Sequence, residues 1–242
     1  MKKRPIPETD LARITVLPWD RQRSELEHLK VSFSPYSYGS VRGVSGDILN
    51  ISTIMLGATA RPAWQIIARE IERNCRRGED EIAANLAVGR ALYQFSEKHS
   101  VHGRREEFFP LTVGVFAKLR YWSQAVVSID GRPSVVHIDP RKSSALDARS
   151  RRFVFSVMHQ RIRLADPDFT EVTLGIMQVP KRADGSRQAE LHVNTDVELY
   201  DFEALDQMIT TTYEIWWDIL AEREAKRRGD GSGEAGPLFG TG

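Results

Sequence analysis

One acidic and two basic side chains stand together where an apolar run ends, in the sequence SVVHIDPRK, residues 134–142. Asp139 follows the apolar residues directly, and Arg141 and Lys142 come shortly after it. A carboxylate offers oxygen ligands to a hard divalent cation, and a neighbouring cation can bind phosphate. The spacing therefore predicts metal-dependent hydrolysis, phosphate binding, or an ordinary corner between a strand and a helix.

The residues after this corner have the spacing of a helix with one basic side. Over about residues 144–165, basic and polar side chains recur every three or four positions, while apolar residues from Phe153 to Ile162 should face a sheet. Guanidinium groups bind phosphate in pairs of hydrogen bonds, so the row could follow a nucleic-acid backbone. The alternative is a solvated helix face with nearby aspartates. The candidate nucleic-acid-binding residues are Arg141, Lys142, Arg149, Arg152, His159 and Arg163.

The elements around the corner predict an α/β (α+β) fold with a central mixed β-sheet flanked by helices. Asp130-Gly131 between two strand-like runs is a hairpin signal. Periodicity and β-branched content predict the order helix, helix, three strands, helix, two strands, helix. The predicted helices cover residues 62–77, 79–99, 144–165 and 201–228, and the predicted strands lie within 108–130, 134–139, 171–180 and 189–194.

The same patterns predict three regions along the chain. Residues 1–78 form a helical and loop-rich N-terminal region, and residues 79–228 form the α/β core with a long C-terminal helix. Residues 229–242 are too rich in glycine to fold alone and are predicted to be a disordered tail.

Helix, three strands, helix and strand, over about residues 80–180, is similar to the core order of the restriction-endonuclease-like (PD-(D/E)xK) fold. In that family an acidic residue on the second strand and a (D/E)xK triplet on the third bind a divalent cation. The triplet here is Asp139-Pro140-Arg141. The resemblance implies that Asp139 is the catalytic acid and metal ligand, that Arg141 replaces the lysine, and that Mg²⁺ or Mn²⁺ is the cofactor.

These observations predict a DNA-associated protein with an endonuclease-like core from a mobile-element or defence system. It would be either a metal-dependent nuclease or a relative that does not cut. The alternative is a non-enzymatic module for protein contact or oligomerisation. The long C-terminal helix, with the aromatic residues Tyr213, Trp216 and Trp217, would then dock on a partner or on a second copy. Such a cluster is equally typical of a core.

Composition narrows the classes further. The chain has 34 basic and 33 acidic residues, so only local clusters can attract a polyanion. A single cysteine and the lack of an apolar run long enough to span a bilayer predict a cytoplasmic protein with no membrane contact. P-loop, GxSxG and CxxC motifs are absent.

The glycine-rich tail contains one apolar element, Pro237-Leu238-Phe239. It resembles the apolar end of short linear motifs that dock on a partner protein. It is also similar to sliding-clamp binding peptides, although their leading glutamine is absent. The tail therefore predicts a short docking motif as one alternative to a purely disordered end.

Overall fold

The computed structural model describes residues 5–29, 37–52, 61–114, 117–142, 145–195 and 197–230. Within these ranges the α-helices are α1 (Glu8–Ile14), α2 (Trp19–His28), α3 (Gly39–Gly43), α4 (Ser45–Ile48), α5 (Trp64–Asn74), α6 (Glu79–Lys98), α7 (Ala148–Met158) and α8 (Phe202–Asp230). The strands are β1 (Ile51–Ser52), β2 (His102–Arg105), β3 (Leu111–Thr112), β4 (Lys118–Leu119), β5 (Ala125–Ile129), β6 (Arg132–Asp139), β7 (Thr173–Gln178) and β8 (Glu190–Val193).

Six of the described strands form one mixed sheet, in the order β1-β2-β5-β6-β7-β8. Strands β2, β5 and β6 are a meander with antiparallel pairing, whereas β7 pairs parallel to β6 after the α7 crossover. Strand β8 returns antiparallel to β7, and β3 and β4 form a separate two-stranded sheet. The predicted α/β class with a central mixed sheet is confirmed.

Helices cover both faces of the sheet. Consecutive residues of β6 belong to different cores: Val135 packs with residues of α1, α2, α7 and α8, and Val136 packs with residues of α3 to α6. Side chains alternate across a strand, so this division places one helical layer on each face. In the part of the chain that the structure describes, no helix has both the length and the apolar character to cross a bilayer.

Helix α7 lies within the predicted range of about 144–165 but begins later, at Ala148. Asp147 caps it by accepting a hydrogen bond from the backbone N–H of Ser150 at 2.8 Å, which satisfies a first-turn donor. The apolar face from Phe153 to Ile162 is buried against the sheet, as predicted. A π-helical turn, His159–Arg163, continues the helix.

Short elements differ from the prediction. The segment from Val31 to Asp47 reads as a loop, yet its described part contains α3 and α4. Strand β2 has the polar sequence HGRR and gives no strand pattern, but its pairing with β5 makes it part of the sheet. The tail motif Pro237-Leu238-Phe239 lies outside the described residues.

Candidate functional site

Asp139 lies at the end of β6 and is almost completely buried, with 1% of its surface exposed. One carboxylate oxygen accepts hydrogen bonds from the backbone N–H of Leu146 at 3.0 Å and from Nε2 of Gln178 at 3.3 Å. The other accepts from the backbone N–H of Arg141 at 3.4 Å. The carboxylate therefore ties the end of β6 to the start of α7 and to β7.

The surroundings of Asp139 do not fit a divalent cation, which requires several oxygen ligands. Within the described ranges, no group of three or more His, Cys, Asp or Glu residues could hold a metal ion. Glu81, on the helix before the sheet, instead accepts hydrogen bonds from the backbone N–H groups of Ser37, Arg76 and Arg77. The metal role expected of Asp139, and with it the expected Mg²⁺ or Mn²⁺, therefore has no ligand set here.

Arg141 is held by an acidic residue from the N-terminal region. Its Nη1 atom donates to Oδ1 of Asp10 on α1 at 2.9 Å, and Asp10 also pairs with Arg13 at 3.5 Å. The guanidinium thus links the end of β6 to α1. Lys142, the next residue, is exposed.

The basic row on α7 is largely covered by the segment that leads into α8. Arg152 lies 4.0 Å from the ring centre of Tyr200 and 3.4 Å from the carboxylate of Glu198. Ser156 is fully buried, and its hydroxyl accepts a hydrogen bond from the backbone N–H of Tyr200 at 2.9 Å. A nucleic-acid surface and a solvated helix face both require an exposed row, but residues some 45 positions further along the chain pack on it.

The end of the row is also engaged in internal contacts. Arg163 donates to the backbone carbonyl of Val172 at 2.6 and 2.8 Å and to Oδ1 of Asn194 at 3.3 Å. His159 is half-buried, and burial lowers its pKa below the usual value. Of the six candidate nucleic-acid-binding residues, Lys142 and Arg149 are the exposed ones.

The aromatic residues of α8 belong to the core. Trp216 is 1% exposed and Tyr213 is 6% exposed, and both pack in the cluster that includes residues of α1, α2 and α7. A partner can reach them only after the N-terminal helices leave. Tyr213 and Trp216 are therefore covered in this structure, whereas Trp217 is half-buried, and a docking surface on the C-terminal helix stays a prediction.

A cavity of about 480 Å³ opens beside Arg141, between the start of α1, α3, the segment before β5 and the end of β6. His137 lies in its wall and is 9% exposed. Burial lowers the pKa of its imidazole to about 4; Asp139 opposes this shift, while Arg42 and Arg141 add to it. His137 stands in no recognisable sequence motif, although period-two alternation places it on the same face of β6 as Asp139.

The structure defines an α/β protein with a mixed sheet. Asp139 and Arg141, the predicted catalytic residues, both make contacts within the protein. The family model of the sliding clamp-binding bacterial toxin SocB matches residues 9–226. The DNA replication inhibitor toxin SocB of Caulobacter vibrioides is 32% identical over 235 residues, which cover 96% of this chain and 97% of that protein.

The chain therefore belongs to the SocB family of sliding clamp-binding bacterial toxins. No solved structure matches it. Family membership overturns the interpretation as a DNA-associated endonuclease-like protein, because the family is described by its binding to a protein. The alternative, a protein that acts through contact with another protein, fits the family better. The likeness to the restriction-endonuclease-like fold remains a prediction at the level of topology.

Proposed function

We propose that this chain binds the bacterial sliding clamp and thereby inhibits DNA replication. The observation that carries the proposal is the family match over residues 9–226, which includes every described helix and strand except the first residue of α1 and the end of α8. The relative from Caulobacter vibrioides, a DNA replication inhibitor toxin, is similar over nearly the whole length of both proteins. A likeness of this extent supports a shared activity of the whole protein.

The sequence also offers a candidate docking segment. Leu238 and Phe239 stand in the glycine-rich sequence GPLFG near the C-terminus, beyond the range that the family model matches. This element is similar to sliding-clamp binding peptides in its paired apolar residues. Adjacent aliphatic and aromatic side chains on a short peptide are suited to filling apolar pockets on a partner. We place the first contact with the clamp there.

The test is a binding titration of the full chain against the purified sliding clamp of the bacterium that encodes it, together with a replication elongation assay. We expect saturable binding and slower elongation. The double substitution Leu238→Ala/Phe239→Ala should weaken binding about 30-fold or more, because it removes two apolar anchors. The matched control is Glu234→Ala, in the same tail, which should bind like the unchanged chain.

The two parts of the proposal fail separately. No binding of the unchanged chain to the clamp, with no effect on elongation, would overturn the function. Binding that survives the double substitution would retain the function and move the docking surface to the part of the chain before the glycine-rich tail.

A further inference from the structure

The cavity beside Arg141 has the dimensions of a small-molecule site. Its volume of about 480 Å³ falls within the range of roughly 300–1,000 Å³ that is typical of ligand pockets. It lies where the N-terminal segment, α3 and the end of the sheet meet. The lining residues that matter here are Glu8, Arg42, Arg120, Ser123, His137 and Arg141.

Two polar atoms in the cavity wall are buried without a hydrogen-bond partner. They are Nε2 of His137 and the hydroxyl oxygen of Ser123. The backbone N–H of Ser123 donates to the carbonyl of Val136 at 2.8 Å, which places Ser123 beside the residue before His137. Unsatisfied buried polar groups are few in native proteins, and each requires an explanation. A ligand that carries hydrogen-bonding oxygens would satisfy both atoms after a small shift of the side chains that now cover them, since both are closed to solvent.

The charges around the opening are predominantly positive. Three arginines and one glutamate line the cavity. Arg141 is already paired with Asp10, and Glu8 already accepts a hydrogen bond from the backbone N–H of Arg120 at 3.0 Å. The exposed guanidinium groups of Arg42 and Arg120 form no hydrogen bond or ion pair with a described residue, although the carboxylate of Glu8 attracts both. Guanidinium groups pair best with planar or tetrahedral oxyanions.

We propose that this cavity binds a small molecule through an oxyanion group, either a phosphate or a carboxylate. Arg42 and Arg120 bind the charge at the opening, and His137 and Ser123 donate hydrogen bonds to it from the wall. The imidazole of His137 is neutral at pH 7, since its pKa is about 4, and a neutral imidazole still has one N–H to donate. This site is separate from the proposed docking of Leu238 and Phe239 on the clamp, and either can exist without the other.

The test is calorimetric titration and thermal unfolding of the full chain with three probes: inorganic phosphate, adenosine monophosphate and succinate. We expect saturable binding of at least one probe and a rise in the midpoint of unfolding with its concentration. If both phosphate and adenosine monophosphate bind, the site recognises phosphate. If only the nucleotide binds, its base also contributes to binding. If only succinate binds, the site recognises a carboxylate.

The variant Arg42→Gln/Arg120→Gln should bind the active probe about tenfold more weakly or worse, because it removes two charge-assisted contacts. The matched control is Arg132→Gln/Arg149→Gln, which removes the same charge at two exposed positions outside the cavity lining. The substitution Ser123→Ala removes the hydroxyl in the cavity wall and should also weaken binding of the probe. If no probe binds, or if the control loses as much affinity as the cavity variant, the proposal is wrong.

Discussion

Two residues on the same face of β6 show how different buried polar groups can be. Asp139 accepts three hydrogen bonds from two backbone N–H groups and a glutamine side chain. His137, two positions earlier, has a buried ring nitrogen with no partner among the described residues. Burial of a polar group costs free energy of folding unless the group is hydrogen-bonded. The hydrogen bonds of Asp139 offset that cost, whereas the unpaired nitrogen of His137 does not. The acid that resembles a catalytic residue is the structural one.

The stability of the protein should fall in mildly acidic solution because of His137. Burial holds the pKa of its imidazole at about 4, whereas in the unfolded chain the pKa is 6.5. The unfolded chain therefore takes up a proton as the pH falls below 6.5, and the folded chain does not until about pH 4. Over that interval the folded state should lose about 3 kcal/mol from this group. Chemical denaturation at several pH values from 7 to 4 measures the loss.

The substitution His137→Asn should make that dependence shallower, because asparagine does not titrate. Asp139, Arg42 and Arg141, the charged groups that act on this imidazole, remain in the variant. His28→Asn, at an exposed position on α2, is the control and should keep the original steepness. If the stability of His137→Asn depends on pH as steeply as that of the unchanged chain, the pH dependence does not come from His137.

At the scale of elements, the sequence predicts those that are long and regularly patterned. These elements bury one face or both, and the spacing of their apolar residues indicates the buried face. They are helices α5, α6, α7 and α8 and strands β6 and β7. Helices α3 and α4 span five and four residues, too few for a periodic pattern. Strand β2 is polar because it lies near the edge of the sheet, so its pairing with β1 and β5 defines it and its own residues do not.

The candidate site was less predictable than the elements around it, because long-range contacts decide its exposure. The spacing of Arg152 and Ser156 correctly places them on one face of α7. Whether that face is solvated depends on Tyr200, which lies more than 40 residues away in the sequence and packs on both. Likewise, the pairing of Arg141 with Asp10 joins residues 131 positions apart. Local patterns carry no information about such contacts.

A buried polar contact joins α1 and α2 to α8, and its loss should weaken that junction. The hydroxyl of Thr212 lies 2.9 Å from the hydroxyl of Thr15 and 2.8 Å from Oε1 of Gln22. The substitution Thr212→Val keeps the shape but leaves the glutamine oxygen without a donor, which typically costs about 1–3 kcal/mol. Urea denaturation should show this loss. Thr211→Val, the neighbouring and partly exposed position, should change stability by less than about 0.5 kcal/mol. Equal effects at the two positions would contradict the role of the contact.

At the scale of the whole molecule, the N-terminal helices complete one of the two layers on the sheet. Leu11, Ile14 and Leu26 belong to the same core cluster as Phe153 and Trp216. On the surface, Arg23 of α2 pairs with Glu222 of α8 at 2.8 Å, but exposed ion pairs contribute little. The apolar contacts are therefore what holds α1 and α2 in place. The family match begins at residue 9, inside α1, which is consistent with these helices belonging to the shared fold.

A chain that lacks residues 1–29 should consequently lose its cooperative unfolding transition. Ile6, Leu11, Ile14 and Leu26 are each at most 3% exposed, and their removal uncovers the core around Trp216. Full burial of such a side chain contributes about 1.5–3 kcal/mol, so the four together approach the total stability of about 5–15 kcal/mol of an ordinary protein. Circular dichroism during heating should show a broad, shallow change in place of a sharp one. The single substitution Leu11→Ala is the control: it should lower stability by about 2–5 kcal/mol and keep a sharp transition. A sharp transition in the truncated chain would instead show that the region after the N-terminal helices folds unaided.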